Sequence, residues 1–103
     1  MNVVVADVTP EPAGSTLILH ARGEFDISTV GVLSTALEHA HASGLNVTLE
    51  CREVAFMDAG TAHVIAASSA ALASDGRELR IVNAPPALRK LLVLSKMGGL
   101  LAM

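Results

Sequence analysis

The chain opens with a short β-branched run at residues 3–8, Val-Val-Val-Ala-Asp-Val, followed at residues 9–15 by Thr-Pro-Glu-Pro-Ala-Gly-Ser, a stretch dense in strand breakers and turn formers. A second β-rich run at residues 16–22, Thr-Leu-Ile-Leu-His-Ala-Arg, completes a predicted hairpin with a loose connection, closed by Gly-Glu-Phe-Asp at 23–26. Ser28 or Thr29 caps a predicted helix whose apolar positions Val30, Leu33, Leu37 and Ala40 recur at three-four spacing until Ser43 and Gly44 stop it. Residues 45–50 alternate as a strand, so strand, helix, strand predicts a crossover connection, right-handed if the two strands are parallel. Residues 51–57 read as a linker. Asp58 is a good N-cap for a second helix with a stripe of Thr61, Ile65, Ser68 and Leu72, ending at Asp75 and Gly76. A fourth strand at 78–82 leads through Asn83, Pro85 and Pro86 into a third helix with Leu88, Leu91, Leu92 and Ser95, stopped by Gly98 and Gly99. Residues 100–103 read as a final short strand.

The order β-β-α-β-α-β-α-(β) predicts one α/β sandwich over residues 1–103, with a mixed sheet of four to five strands, three helices packed against it and no inter-domain linker. Composition supports a packed core: 51% of the 103 residues are hydrophobic and 17% charged, the reverse of a disordered chain. Two phenylalanines are the only aromatic residues and the net charge is −3, so stacking platforms and a basic footprint for nucleic acid are both missing. The single Cys51 cannot form an internal disulfide, and the first residues lack the basic and apolar regions of a secretory signal, which points to the cytoplasm. No window reaches 18 uninterrupted apolar residues, so neither a membrane span nor direct membrane contact is expected.

Catalytic constellations are missing as well. His20, His39, His41 and His63 are scattered, and His39 and His41, two apart on a helix, diverge by about 200°, so no metal site is expected. Cys51 has no Cys-x-x-Cys partner and reads as an inert buried thiol. Glycine-rich phosphate loops and a nucleophile elbow are also lacking, so neither an enzyme nor a cofactor is expected. Polar detail gathers instead at two helix starts predicted to share one end of the sheet, residues 23–28 and residues 56–62. Carboxylates at Asp26 and Asp58 suit the unpaired amides there. Gly60 serves no cap and weakens the helix, which suggests a close approach or a contact surface.

Three ordered segments carry a resemblance to the STAS domain family, and within it to bacterial anti-sigma factor antagonists. Gly-Glu-Phe-Asp at 23–26 resembles the family's Gly-Glu-x-Asp turn. Val-Ala-Phe-Met-Asp at 54–58 resembles its Val-x-Phe-hydrophobic-Asp segment, and residues 80–92 its strand and Pro-initiated helix. The resemblance implies a STAS-like sandwich with its helices mainly on one side of the sheet. It also implies a non-enzymatic regulator that binds a serine-kinase-type anti-sigma factor and so releases a sigma factor. In the family a Ser directly after the Asp is phosphorylated to end binding; here that position is Ala59, followed by Gly60 and Thr61, so the acceptor hydroxyl is gone. Thr61 lies on the apolar stripe, where a buried or back-bonded role is the default. The expected partner surface is Glu24, Asp26, Ser28, Met57, Asp58, Ala59, Gly60 and Thr61, with Met57 as its apolar patch, acidic residues as its rim, and Ala62 adding to the small residues that allow close approach. The alternative is a STAS scaffold subunit that binds a transporter ATPase or a stress-signalling assembly. A phosphoryl-accepting receiver domain is disfavoured, because Asp7 stands without the acidic partner that chemistry needs.

Overall fold

The computed structural model describes residues 6–94 and 98–102. Strands β1 (Asp7–Ala13) and β2 (Thr16–Phe25) form a hairpin. Helix α1 (Val30–Ala42), strand β3 (Asn46–Met57), helix α2 (Ala59–Ser74), strand β4 (Leu79–Val82) and helix α3 (Pro86–Leu94) follow, and a 3-10 turn at Gly98–Leu100 leads to a two-residue β5 (Leu101–Ala102). The strands lie in one sheet in sequence order, β1 antiparallel to β2 and all later neighbours parallel. Because β2, β3, β4 and β5 advance across the sheet in one direction, crossovers of a single hand place all three helices on the same face. Burial shows that one-sidedness: Leu17, Leu19 and Ala21 of β2, Val47, Leu49 and Cys51 of β3 and Leu79 and Ile81 of β4 are covered. Their alternates are half-buried or exposed, as in Ile18, His20, Thr48, Glu50 and Arg80. The helices contribute Leu33, Leu37, Ile65, Leu72, Leu88 and Leu92 to the same core. Each fully buried side chain of this size contributes about 1.5–3 kcal/mol.

Three sequence expectations are corrected here. The predicted turn at 9–15 is mostly strand: β1 pairs through Pro10 opposite Leu19 and Pro12 opposite Leu17, and the connection is the tight pair Gly14 and Ser15, with Gly14 at φ 63°. β1 lies at the sheet edge, where amides facing away from the only neighbour make no ladder bond, so prolines two residues apart in that phase cost nothing. The front of the expected first strand, residues 3–5, and Ser95 of the expected third helix lie outside the described residues, as does Met103 of the expected last strand. β2 continues through Gly23, at φ 94°, to Phe25 rather than closing at 23. The expected linker at 51–57 is the second half of β3, so Cys51 lies within a strand rather than past one.

That second half of β3 looked irregular because it carries two bulges. His20 pairs with Glu50 but Arg22 with Glu53, and Gly23 pairs with Val54 but Glu24 with Phe56, so β3 gains one residue on β2 at each step. Every inserted residue flips the alternation. Buried positions therefore recur at Cys51, Val54 and Met57 with a period of three, the pattern that hid the strand. The bulges also set the ends of β2 and β3 level, with Phe25 opposite Met57.

Candidate functional site

The site is built on those two strand ends. Phe25 and Met57 are anchored in the core, and the amide of Asp58 donates to the Phe25 carbonyl at 3.2 Å, which ties the start of α2 to the end of β2. The two loops singled out in the sequence are thus brought together.

The first loop, residues 26–29, is held by its own polar side chains. Asp26 Oδ1 accepts from the Ser28 amide at 2.9 Å and from the Ser28 hydroxyl at 2.6 Å. The Asp26 amide donates to Thr29 Oγ1 at 2.9 Å, and that hydroxyl donates to the Glu24 carbonyl at 2.9 Å. The Asp26 carbonyl accepts from the amides of Thr29 and Val30, at 3.1 and 2.8 Å. The Ser28 hydroxyl, and next the Ser28 amide, hold the Asp26 carboxyl below its ordinary range, because both donate to the charged form. Of the two candidate caps it is Thr29 that takes the N-cap position of α1, though its hydroxyl makes no capping bond and is committed to the loop.

The second loop carries the expected cap. Asp58 Oδ1 accepts from the Thr61 amide at 2.8 Å, and the Thr61 hydroxyl lies 2.8 Å from the same oxygen and 3.2 Å from the Phe25 carbonyl. Thr61 is 0% exposed, so this hydroxyl seals the joint between strand and helix beneath the surface.

The structure divides the predicted surface in two. Glu24, Ser28, Ala59 and Gly60 are exposed, and Asp26 and Asp58 are half-buried. Met57, 5% exposed, faces the core and is unavailable as an apolar docking patch; Thr61 and Ala62 are likewise buried. The second β3 bulge turns Met57 inward and leaves Phe56 outward at 45% exposure. A Cβ on Gly60 would lie 3.5 Å from Asp58 Oδ1, an ordinary contact, so packing within this chain does not require the glycine. The residue that sequence reasoning missed is Ile27, 92% exposed between Asp26 and Ser28. Its signal was present: a β-branched apolar residue inside an otherwise polar turn. Asp26, Ile27, Val30, Asp58, Gly60 and Thr61 line a depression of about 220 Å³ between the two loops.

Elsewhere, Cys51 is 1% exposed, and burial, with a lesser contribution from the Glu50 charge, pushes its thiol up to about 12. Among the described residues no three His, Cys, Asp or Glu side chains are grouped to hold a metal ion. No helix among them is long and apolar enough to cross a membrane.

Comparison with known proteins agrees with this fold. The family model described as "Mlab, STAS domain" matches residues 8–102. The solved structure of the anti-sigma factor antagonist SpoIIAA in its unphosphorylated form is similar with a TM-score of 0.79 at 18% identity, over 92% of this chain and 85% of that one. The phosphorylated form of SpoIIAA, a Bacillus cell fate determinant, gives 0.75 at 18% identity, over 92% and 88%. An anti-sigma factor antagonist from Mycobacterium paratuberculosis gives 0.78 at 17% identity, over 91% and 80%. At these identities the likeness is one of fold. No curated protein matches the chain in sequence.

Proposed function

The chain belongs to the STAS domain family, and from that premise we propose that it is an anti-sigma factor antagonist-like regulator, a non-enzymatic cytoplasmic protein that binds a serine-kinase-type anti-sigma factor. The observation that carries this reading is the surface made by residues 26–29 and the start of α2, where exposed Ala59 directly follows the capping Asp58. In the family the residue at that place takes the phosphoryl group. A phosphate would add about −1.5 to −2 charges beside an existing carboxylate, at a contact that has to shed water. Alanine has no oxygen to accept it, so binding at this surface is not switched off there. Thr61 offers no substitute, because its hydroxyl is buried between Asp58 and Phe25.

The test mixes the protein with a serine-kinase anti-sigma factor encoded in the same genome, in the presence of ATP. A stable complex is expected by size-exclusion chromatography with no gain in intact mass. The Ala59→Ser variant is expected to gain roughly 80 Da and dissociate. A wild-type chain that becomes phosphorylated, or that forms no complex, refutes the proposal.

A second reading is favoured by one specific observation: the matching family model is described by the name Mlab rather than as an antagonist. In that reading the same unmodifiable surface holds a transporter ATPase, and a pull-down that returns such an ATPase in place of a kinase selects it.

A further inference from the structure

We infer that Ile27 is the apolar anchor by which this surface engages its partner, and that the partner presents an apolar socket flanked by lysine or arginine side chains. The inference rests on the kinase-binding reading above and replaces Met57, which the fold buries, with a residue the fold displays. Single exposed aliphatic side chains are common on protein surfaces and need no explanation by themselves. Ile27 differs in how it is held. The residues on either side are fastened by the Asp26 and Ser28 bonds, and the turn is closed by Asp26 carbonyl bonds to Thr29 and Val30. A β-branched side chain on a fastened turn has little rotamer freedom to lose on docking, so more of its burial energy appears as affinity.

Charge identifies what it meets. Asp26 and Asp58 line the depression beside Ile27 and Glu24 precedes them in the first loop, while residues 23–30 and 56–63 contain no Lys or Arg and only His63 as a titratable base. Asp26, whose carboxyl the Ser28 bonds hold below its ordinary range, carries its negative charge at neutral pH. An apolar tip beside carboxylates and without a nearby lysine or arginine in either loop is repelled by nucleic acid and by anionic membranes. It is complementary to a protein pocket with cations on its rim.

The experiment is isothermal titration of the full chain against the same kinase-type anti-sigma factor. Truncating a hot-spot side chain predicts that Ile27→Ala weakens binding roughly 30-fold. Ile27→Leu should stay within about threefold of wild type, since volume and apolarity are kept. Leu94→Ala, at an exposed apolar position on α3, should leave binding unchanged, and added salt should weaken the wild-type complex. If Ile27→Ala binds within about threefold of wild type while Asp58→Asn binds weakly, the anchor is wrong and the kinase-binding reading survives. If the wild-type chain does not bind at all, that reading falls and the anchor with it. Ile27 is solvent-facing, so its variants should fold, and unchanged thermal melting verifies this.

Discussion

Asp58 stands both in the fold and in the proposed surface, and substitutions there separate the two roles. In Asp58→Ala the Thr61 amide loses its acceptor, a cap worth about 1 kcal/mol. The buried Thr61 hydroxyl also loses its 2.8 Å carboxylate partner and keeps only the Phe25 carbonyl at 3.2 Å, which adds about 1 kcal/mol. The expected loss is therefore about 2 kcal/mol, or a fall in Tm of about 10 °C for a chain of this size. Asp58→Asn keeps an acceptor oxygen and gives up only the charge at the helix start, so it should cost about 0.5–1 kcal/mol. Thr61→Val removes the buried hydroxyl for about 1.5 kcal/mol. Since both variants break the same bond, the double variant Asp58→Ala, Thr61→Val should lose about 1 kcal/mol less than the sum. Urea denaturation of the four proteins gives the cycle. Strict additivity, or an Asn variant as unstable as the Ala variant, would refute the shared bond and with it the account of the joint.

Two further outcomes follow from other side chains. Arg77, 15% exposed, donates to the carbonyls of His41 at 2.8 Å and Leu45 at 3.1 Å and pairs with Asp75, fastening the end of α1 to the connection after α2. Arg77→Met should destabilise the chain by about 2 kcal/mol in urea, with a loss under about 0.5 kcal/mol counting against the clasp. Asp26 has its folded pKa lowered, so its share of stability is present above the unfolded carboxylate value of about 3.9 and is lost as pH falls through the folded value. Carboxyl NMR titration should show Ser28→Ala raising the Asp26 midpoint, and an unmoved midpoint would dismiss the Ser28 bonds as its cause.

The helices were legible in the sequence because their signals are local. Leu33, Leu37 and Ala40 sit on the predicted face of α1, Thr61, Ile65 and Leu72 on that of α2, and Asp58 caps as its residue type and position suggest. The strands were harder, because their irregularities are set by neighbours. Pro10 and Pro12 forbid a central strand, and only the pairing order reveals that β1 is an edge. The period of three at Cys51, Val54 and Met57 has meaning only beside β2, whose shorter course makes the two bulges necessary. The same non-local feature misassigned Met57: straight alternation cannot say which of two adjacent apolar residues faces inward after a bulge. Asp58 was placed correctly because a carboxylate at a helix start is favoured whatever lies across the sheet, whereas Asp26 lies ahead of the α1 cap and its carboxylate takes Ser28 of the loop instead of helix amides. Ile27 was passed over because exposure depends on what the fold leaves uncovered.

The contrast between Asp58 and Ala59 separates what the fold requires of this surface from what the proposed function requires. Asp58 is retained by folding alone, since Thr61 and the start of α2 depend on it, so its presence says little about a partner. Ala59 is under no such constraint: it is exposed at the first turn of α2 and no hydrogen bond of its side chain is possible. Serine there would cost the helix only about 0.5 kcal/mol in propensity. The fold would therefore tolerate either residue. Introducing a hydroxyl with Ala59→Ser changes the chemistry of the surface and almost nothing beneath it. A difference in partner binding between the two proteins, measured with ATP present and absent, then isolates the phosphoryl acceptor from the scaffold that carries it. Equal binding by both proteins under both conditions would show that the surface does not meet a kinase active site at this residue.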